Sequence, residues 1–115
     1  MTTDESREYQ ALRRLAEGPV ANQRSLAESL GVSLGKANYV IRALVARGWV
    51  TVENVSRNPN RLGYAYLLTP KGITEKARLT RRFLQRKVAE YERLQQEIDT
   101  LALEAGVADI RELAN

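Results

Sequence analysis

From Asn22 to Gly48, apolar residues recur at helical spacing on both sides of one glycine, Gly31. Upstream, Leu26, Ala27 and Leu30 share a face behind Asn22, a residue suited to cap a helix N-terminus. Gly31 follows as the left-handed residue that closes a helix. Downstream, Ser33 is a second N-cap. Ala37, Val40, Ile41 and Leu44 then form the inward face of a helix over 34–47, which Gly48 ends. Two short helices joined by a tight glycine turn predict a helix-turn-helix.

The flanking segments extend this unit. Tyr9, Leu12, Leu15 and Ala16 lie on one face of a helix over 5–17, stopped by Gly18 and Pro19. After Gly48 the periodicity changes. Trp49 to Val52 and Tyr64 to Leu68 are β-branched and aromatic runs that read as strands. Between them, 54–63 is rich in Asn, Ser, Pro, Arg and Gly, the composition of a hairpin tip. The expected fold is mainly α with a small β-hairpin, a winged helix-turn-helix over 5–70. A long helix and a short tail helix fill 71–115.

That long helix opens with Thr69 as N-cap and Pro70 at the first helical position, and Gly72 is a weak point in its first turn. No strong breaker follows before Gly106, which gives about 35 residues and about 50 Å of helix. Val107, Ile110 and Leu113 predict a last short helix. Ile73, Ala77 and Phe83 are expected to pack back on the first helix of the chain.

Composition excludes several kinds of chemistry. The chain has no Cys and no His, so disulfides, thiolate nucleophiles, Cys/His zinc sites and His-based triads are ruled out. No acid–base constellation, glycine-rich phosphate loop or metal-ligand cluster stands out, so neither enzymatic activity nor a cofactor or metal is expected. No apolar stretch reaches membrane-spanning length. The polar N-terminus carries Asp4, Glu5 and Glu8 and has no signal-peptide character, so a cytoplasmic protein is expected. The net charge of +4, from 18 basic and 14 acidic residues, is mild, and its distribution carries more information than its size.

With its apolar face turned inward, the helix over 34–47 presents Gly35, Tyr39, Arg42 and Ala46 outward, flanked by Lys36 and Asn38. Arg42 can read guanine and Asn38 adenine through paired hydrogen bonds. Lys36 can neutralise a phosphate, and Tyr39 can bond a phosphate or touch a thymine methyl. Gly35 keeps the tip slim, and the free N–H groups beside Ser33 suit a phosphate oxygen. At the hairpin tip, Arg57 and Arg61, with Asn58 and Asn60, can follow a minor groove or the DNA backbone. A solvated helix face and a solvated loop would have similar compositions. The helix-turn-helix context favours double-stranded DNA as partner.

From Leu84 onward a heptad appears, with Leu84, Tyr91 and Ile98 at a and Leu94 and Leu101 at d; Lys87 occupies the d position between Leu84 and Tyr91. A single apolar stripe on so long a helix calls for a partner, and a homodimer joined by a coiled coil is expected. The acidic g positions Glu90, Glu97 and Glu104 would repel each other in an antiparallel pair. In a parallel pair they meet Gln95 and Ala102, which favours the parallel arrangement weakly and leaves both open. Bases crowd the first half of this helix and acids the second.

The stretch from Leu30 to Tyr39, continued by Leu44 to Val50, resembles the MarR-type regulators, and Leu67 to Gly72 is similar to the end of their wing and the start of the next helix. Over residues 5 to 104 the chain resembles a short MarR subgroup associated with exopolysaccharide gene clusters. The resemblance implies a homodimeric transcriptional regulator. Its recognition helix would carry Ser33, Lys36, Asn38, Tyr39 and Arg42, and its wing Arg57 and Arg61. MarR proteins are generally longer and form a small-molecule pocket where helices from both termini meet. The N-terminal helix here is brief, so no effector is assigned. The alternative is a winged-helix module that binds protein and not DNA.

Overall fold

A computed structural model describes residues 3–114. Its elements run α1 (Thr3–Ala16), α2 (Gln23–Leu30), α3 (Leu34–Ala46), β1 (Val50–Asn54), β2 (Tyr64–Leu68) and α4 (Pro70–Ala105), followed by a 3-10 turn at Ile110–Leu113. Contacts divide the chain into two units, one ending at Thr80 and one beginning at Arg81. The division falls inside α4, whereas the boundary expected from sequence lay at its start.

In the first unit, capping sets where the short helices begin and end. Asn22 Oδ1 accepts from the Ser25 amide at 2.8 Å, and Ser33 Oγ accepts from the Lys36 amide at 3.1 Å. Each bond satisfies a donor that the helix itself leaves unpaired. Gly31 has φ 65°, a conformation that a side chain would strain, so the turn between α2 and α3 depends on glycine.

The core forms where α1, α2 and α3 pack together and α1 meets β2. Leu12, Val20, Leu26, Ile41 and Leu44 are almost wholly withdrawn from water. Each such side chain contributes about 1.5–3 kcal/mol relative to exposure. The strands pair antiparallel, from Val50 opposite Leu68 to Asn54 opposite Tyr64. Val20 extends the sheet by one bridge, its amide donating to Tyr66 O at 3.0 Å and its carbonyl accepting from the Tyr66 amide at 2.8 Å.

The start of α4 is tied to the end of α3. The Thr69 hydroxyl donates to Gly48 O at 2.6 Å and accepts from the Gly72 amide at 3.0 Å, and the Thr69 amide donates to Trp49 O at 3.0 Å. Gly72 is buried against Trp49, and a Cβ built on it would stand 2.0 Å from the Trp49 carbonyl oxygen. The residue read from sequence as a weak point is therefore a close-approach site. It also determines which side of α4 faces inward. Leu79 shares that side and is buried, and the Tyr9 hydroxyl lies 2.9 Å from Thr80 Oγ1.

Ile73 and Ala77 do not pack inward as expected. They lie roughly 100° and 140° around the helix from Gly72, and both are exposed, Ile73 by 58%. Phe83, expected with them, is half-buried.

In the second unit, α4 continues from Arg81 to Ala105 with its side chains mostly in water. Glu75 and Arg78, in the first unit, and Lys87 and Glu90, in the second, form exposed ion pairs three residues apart, the spacing at which helix neighbours meet. The tail forms a single 3-10 turn capped by Asp109, whose side chain accepts from the Arg111 amide at 3.0 Å. Its carboxyl is held below the usual range by hydrogen bonds from the Arg111 guanidinium and amide. No helix among the described residues is long and apolar enough to cross a membrane.

Gly72→Ala is expected to destabilise the protein by about 2–3 kcal/mol, because the added methyl meets backbone that cannot yield as a side chain would. Thermal or urea unfolding checks this, and an unchanged midpoint would contradict the close packing described.

Candidate nucleic-acid interface

Four apolar residues orient α3. Ala37, Val40, Ile41 and Leu44 are buried, so the opposite side is forced into solvent. Gly35, Tyr39, Arg42 and Ala46 lie on it and are exposed, and Lys36 and Asn38 at its margins are half-buried. The structure therefore brings the residues proposed from sequence onto one surface. Lys36 Nζ sits 5.1 Å from the centre of the Tyr39 ring, a cation–π contact along the helix. Ser33 uses its oxygen to cap the helix and retains its hydroxyl proton as a donor.

Gly35 has a different standing from Gly31 and Gly72. A Cβ there would meet nothing within 4 Å, so internal packing does not require glycine at this position.

The hairpin tip is ordered by its own side chains. Asn54 Oδ1 accepts from the amides of Ser56 and Gly63, both at 3.0 Å, which joins the two ends of the loop. Val55 donates to Gly63 O at 2.8 Å. Asn58 Oδ1 accepts from the Asn60 amide at 3.0 Å, and Ser56 Oγ accepts from the Asn58 amide at 3.2 Å. Asn58 thus uses its side-chain oxygen within the turn, while the residue as a whole is exposed. Arg57, Asn60 and Arg61 are exposed. Among the described residues, no ion pair occupies the side chains of Arg42, Arg57 or Arg61. Between Gly31 and Gly63, Glu53 is the acid set against Lys36, Arg42, Arg47, Arg57 and Arg61. This stretch of the chain therefore carries more bases than acids.

Two contributors escaped the sequence reading. Glu8, buried apart from 9% of its surface, receives Arg47 Nη1 on Oε2 at 2.5 Å. The Arg47 guanidinium also lies 5.0 Å from the centre of the Trp49 ring. This pair links α1 to the residue that caps the end of α3, and the Arg47 side chain stays 46% exposed. The signal was present in the sequence: Glu8 precedes Leu12 by one helical turn, an acid on an apolar face. Asn54, at the strand end, is the second, and an Asn before a turn-rich segment is the corresponding sign.

The residues expected to form a dimer lie in the second unit, apart from this surface in sequence. Leu84, Tyr91, Leu94 and Leu101 are between 55% and 65% exposed, and Ile98 is less so.

A helix-turn-helix that is followed by a two-stranded hairpin, with its third helix facing outward, decides the architecture. The domain is a winged helix-turn-helix. Residues 5–51 match the family model described as winged helix-turn-helix DNA-binding. A comparison with curated proteins gave no match. Among solved structures, the chain is similar to the PcaV transcriptional regulator from Streptomyces coelicolor in complex with its natural ligand. That match has 21% identity and a TM-score of 0.62, over 95% of this chain and 77% of that one. It is also similar to the adhesin competence repressor AdcR from Streptococcus pyogenes, with 18% identity, a TM-score of 0.57, and coverage of 91% and 73%. The transcriptional regulator BldR from Sulfolobus solfataricus matches with 18% identity, a TM-score of 0.56, and coverage of 88% and 73%. At these identities the likeness carries the fold.

Asn54→Ala is expected to cost about 1 kcal/mol, since it removes two loop hydrogen bonds at an exposed site. Amide hydrogen exchange at Ser56 and Gly63 should accelerate while the helices keep their protection. Unchanged exchange at both amides would contradict the role given to Asn54.

Proposed function

We propose that this chain is a DNA-binding transcriptional regulator of the MarR type that acts as a homodimer in the cytoplasm. The recognition helix α3 enters a major groove, and the wing over 54–63 lies at the adjacent minor groove or backbone. The observation that carries this reading is the outward face of α3. Tyr39, Arg42 and Lys36 stand on a helix whose other side is fully committed to the core. The match of residues 5–51 to a DNA-binding family supports it, as does the likeness in fold to PcaV, AdcR and BldR.

In this reading the residues divide by what they touch. Arg42 and Asn38 address base edges, where paired hydrogen bonds discriminate one base pair from another. Lys36, Ser33 and the free amides at the start of α3 hold phosphates. Arg57 and Arg61 follow the groove from the wing, with Asn60 and the Asn58 NH2 beside them. Gly35 leaves space for the backbone to approach. The seam of Leu84, Tyr91, Leu94, Ile98 and Leu101 joins two copies, so the target is a pseudo-palindrome with half-sites about one helical turn or a multiple apart. Control of exopolysaccharide genes follows from the sequence resemblance alone. No catalysis is assigned.

Selection of bound duplexes from a random pool, with mass measured in parallel, tests the whole reading. A protein that retains no duplex in dilute salt would overturn it. Against the selected site, Arg42→Ala should cost about 1–3 kcal/mol and relax preference at one base pair. Lys36→Ala should weaken all sequences similarly and lower the salt slope by about 1.

Gly35→Ala separates stability from binding. The substitution should raise stability by about 0.5 kcal/mol, because the methyl has room and the unfolded chain loses freedom. It should also reduce duplex affinity by obstructing the approach. Unchanged affinity would remove Gly35 from the interface.

A further inference from the structure

Leu26 and Ala27 turn one side of α2 into the core, and Arg24 stands on the side left in water. Beside it the first unit forms an open groove of about 470 Å³. The groove is bounded by Asn22, Gln23 and Arg24 at the start of α2 and by Val52, Tyr64 and Tyr66 of the hairpin.

Backbone pairing fixes where this groove lies. Val20 and Tyr66 exchange both of their hydrogen bonds in an antiparallel bridge. The chain that leaves Val20 for α2 therefore runs beside β2 toward Tyr64, the end of the strand next to the wing tip. A side-chain bond closes the same corner, where Gln23 Nε2 donates to the Tyr66 hydroxyl at 3.4 Å. The groove is thus continuous with the wing over 54–63, whose last residue, Gly63, precedes Tyr64.

The chemistry of the groove suits a phosphate. Arg24 is the one charged residue on its walls. Glu28 lies a single turn further along α2, yet among the described residues no ion pair occupies Arg24. Tyr64, 56% exposed, adds a hydroxyl, and Val52, 49% exposed, adds an apolar surface that can lie against a deoxyribose. Asn22 Oδ1 already serves the Ser25 amide, so the site rests on the side chains of Arg24 and Tyr64. Guanidinium and phenol groups hold phosphate oxygens, and such contacts position a protein on a duplex without reading its sequence.

We propose that Arg24 and Tyr64 hold one DNA backbone phosphate between α2 and the hairpin, a contact separate from those of α3 and the wing tip. The proposal rests on the DNA-binding reading above and adds to it a contact that is independent of base sequence.

The test measures binding across a salt series for the unaltered chain, Arg24→Ala, Arg24→Lys and Tyr64→Phe, with the selected duplex and an unrelated one. Arg24 and Tyr64 are both exposed, so the fold does not rest on either side chain. Arg24→Ala should weaken both duplexes by the same factor and lower the salt slope by about 1, whereas Arg24→Lys keeps the charge and should keep the slope. Tyr64→Phe should weaken both duplexes with the slope unchanged. When phosphates of the selected duplex are ethylated one at a time, each half-site should contain one phosphate whose modification hinders the unaltered chain and not Arg24→Ala. Equal slopes for the unaltered chain and Arg24→Ala, or the same ethylation pattern for both, would overturn the proposal. A changed base preference in Arg24→Ala would overturn the assignment to phosphate, and full binding by Tyr64→Phe would remove Tyr64 from the site. An unaltered chain that retains neither duplex overturns the DNA-binding reading itself, whereas failure of this proposal alone is seen in variants of a chain that does bind.

Discussion

Removal of Ala37, Val40, Ile41 and Leu44 from water is the constraint on which the first unit depends. A helix turns about 100° per residue, so committing those four positions to the interior leaves no choice about the others. Tyr39 and Arg42 face outward because their neighbours face inward. The same burial holds α1 and α2 against α3, and Leu12 and Leu26 are as fully buried as Ile41 and Leu44. At about 1.5–3 kcal/mol for each large side chain, this packing outweighs any single polar contact on the surface. The outward face is free to be chosen for what it touches.

A second constraint operates at the end of α3, where several segments converge within a few residues. The Glu8 carboxylate takes Arg47, the Arg47 guanidinium lies over Trp49, and the Trp49 carbonyl stands against Gly72. Thr69 closes the group through Gly48 and Gly72. Helix α1, the end of α3, the residue before β1 and the start of α4 are thereby locked to one another. A charge buried as deeply as Glu8 is costly unless paired, so Glu8 and Arg47 hold each other in one geometry. Gly72 carries no side chain because the backbone of another segment already occupies that space.

The two units present contrasting surfaces. The first offers polar and cationic side chains on α3 and the wing. The second leaves Leu84, Tyr91, Leu94 and Leu101 exposed along α4. The positive charge is local: along 31–63 the bases meet a single acid, Glu53, whereas α4 carries bases and acids in separate halves. Net charge over the whole chain conceals both patterns.

The order of elements, the caps at Asn22 and Ser33, the turn at Gly31 and the outward set on α3 were legible in the sequence. Each follows from local rules: periodicity, capping chemistry and the conformational freedom of glycine. The strand Tyr64 to Leu68 was legible for the same reason. Three features required the tertiary structure. Ile73 and Ala77 look like core residues in sequence, yet the contact between Gly72 and Trp49 turns α4 so that Leu79 faces inward and they do not. Glu8 is visible in sequence as an acid on an apolar face, but its partner Arg47 is 39 residues away and only folding brings the two together. Asn58 reads in sequence as a polar group at the tip, and only the structure shows its oxygen accepting from the Asn60 amide within the wing turn. The sequence by itself determined which helices form and which faces α1, α2 and α3 bury, because those choices depend on near neighbours along the chain. The tertiary structure decided which side of α4 meets the core and which polar groups are already engaged, because those depend on segments brought together only by folding.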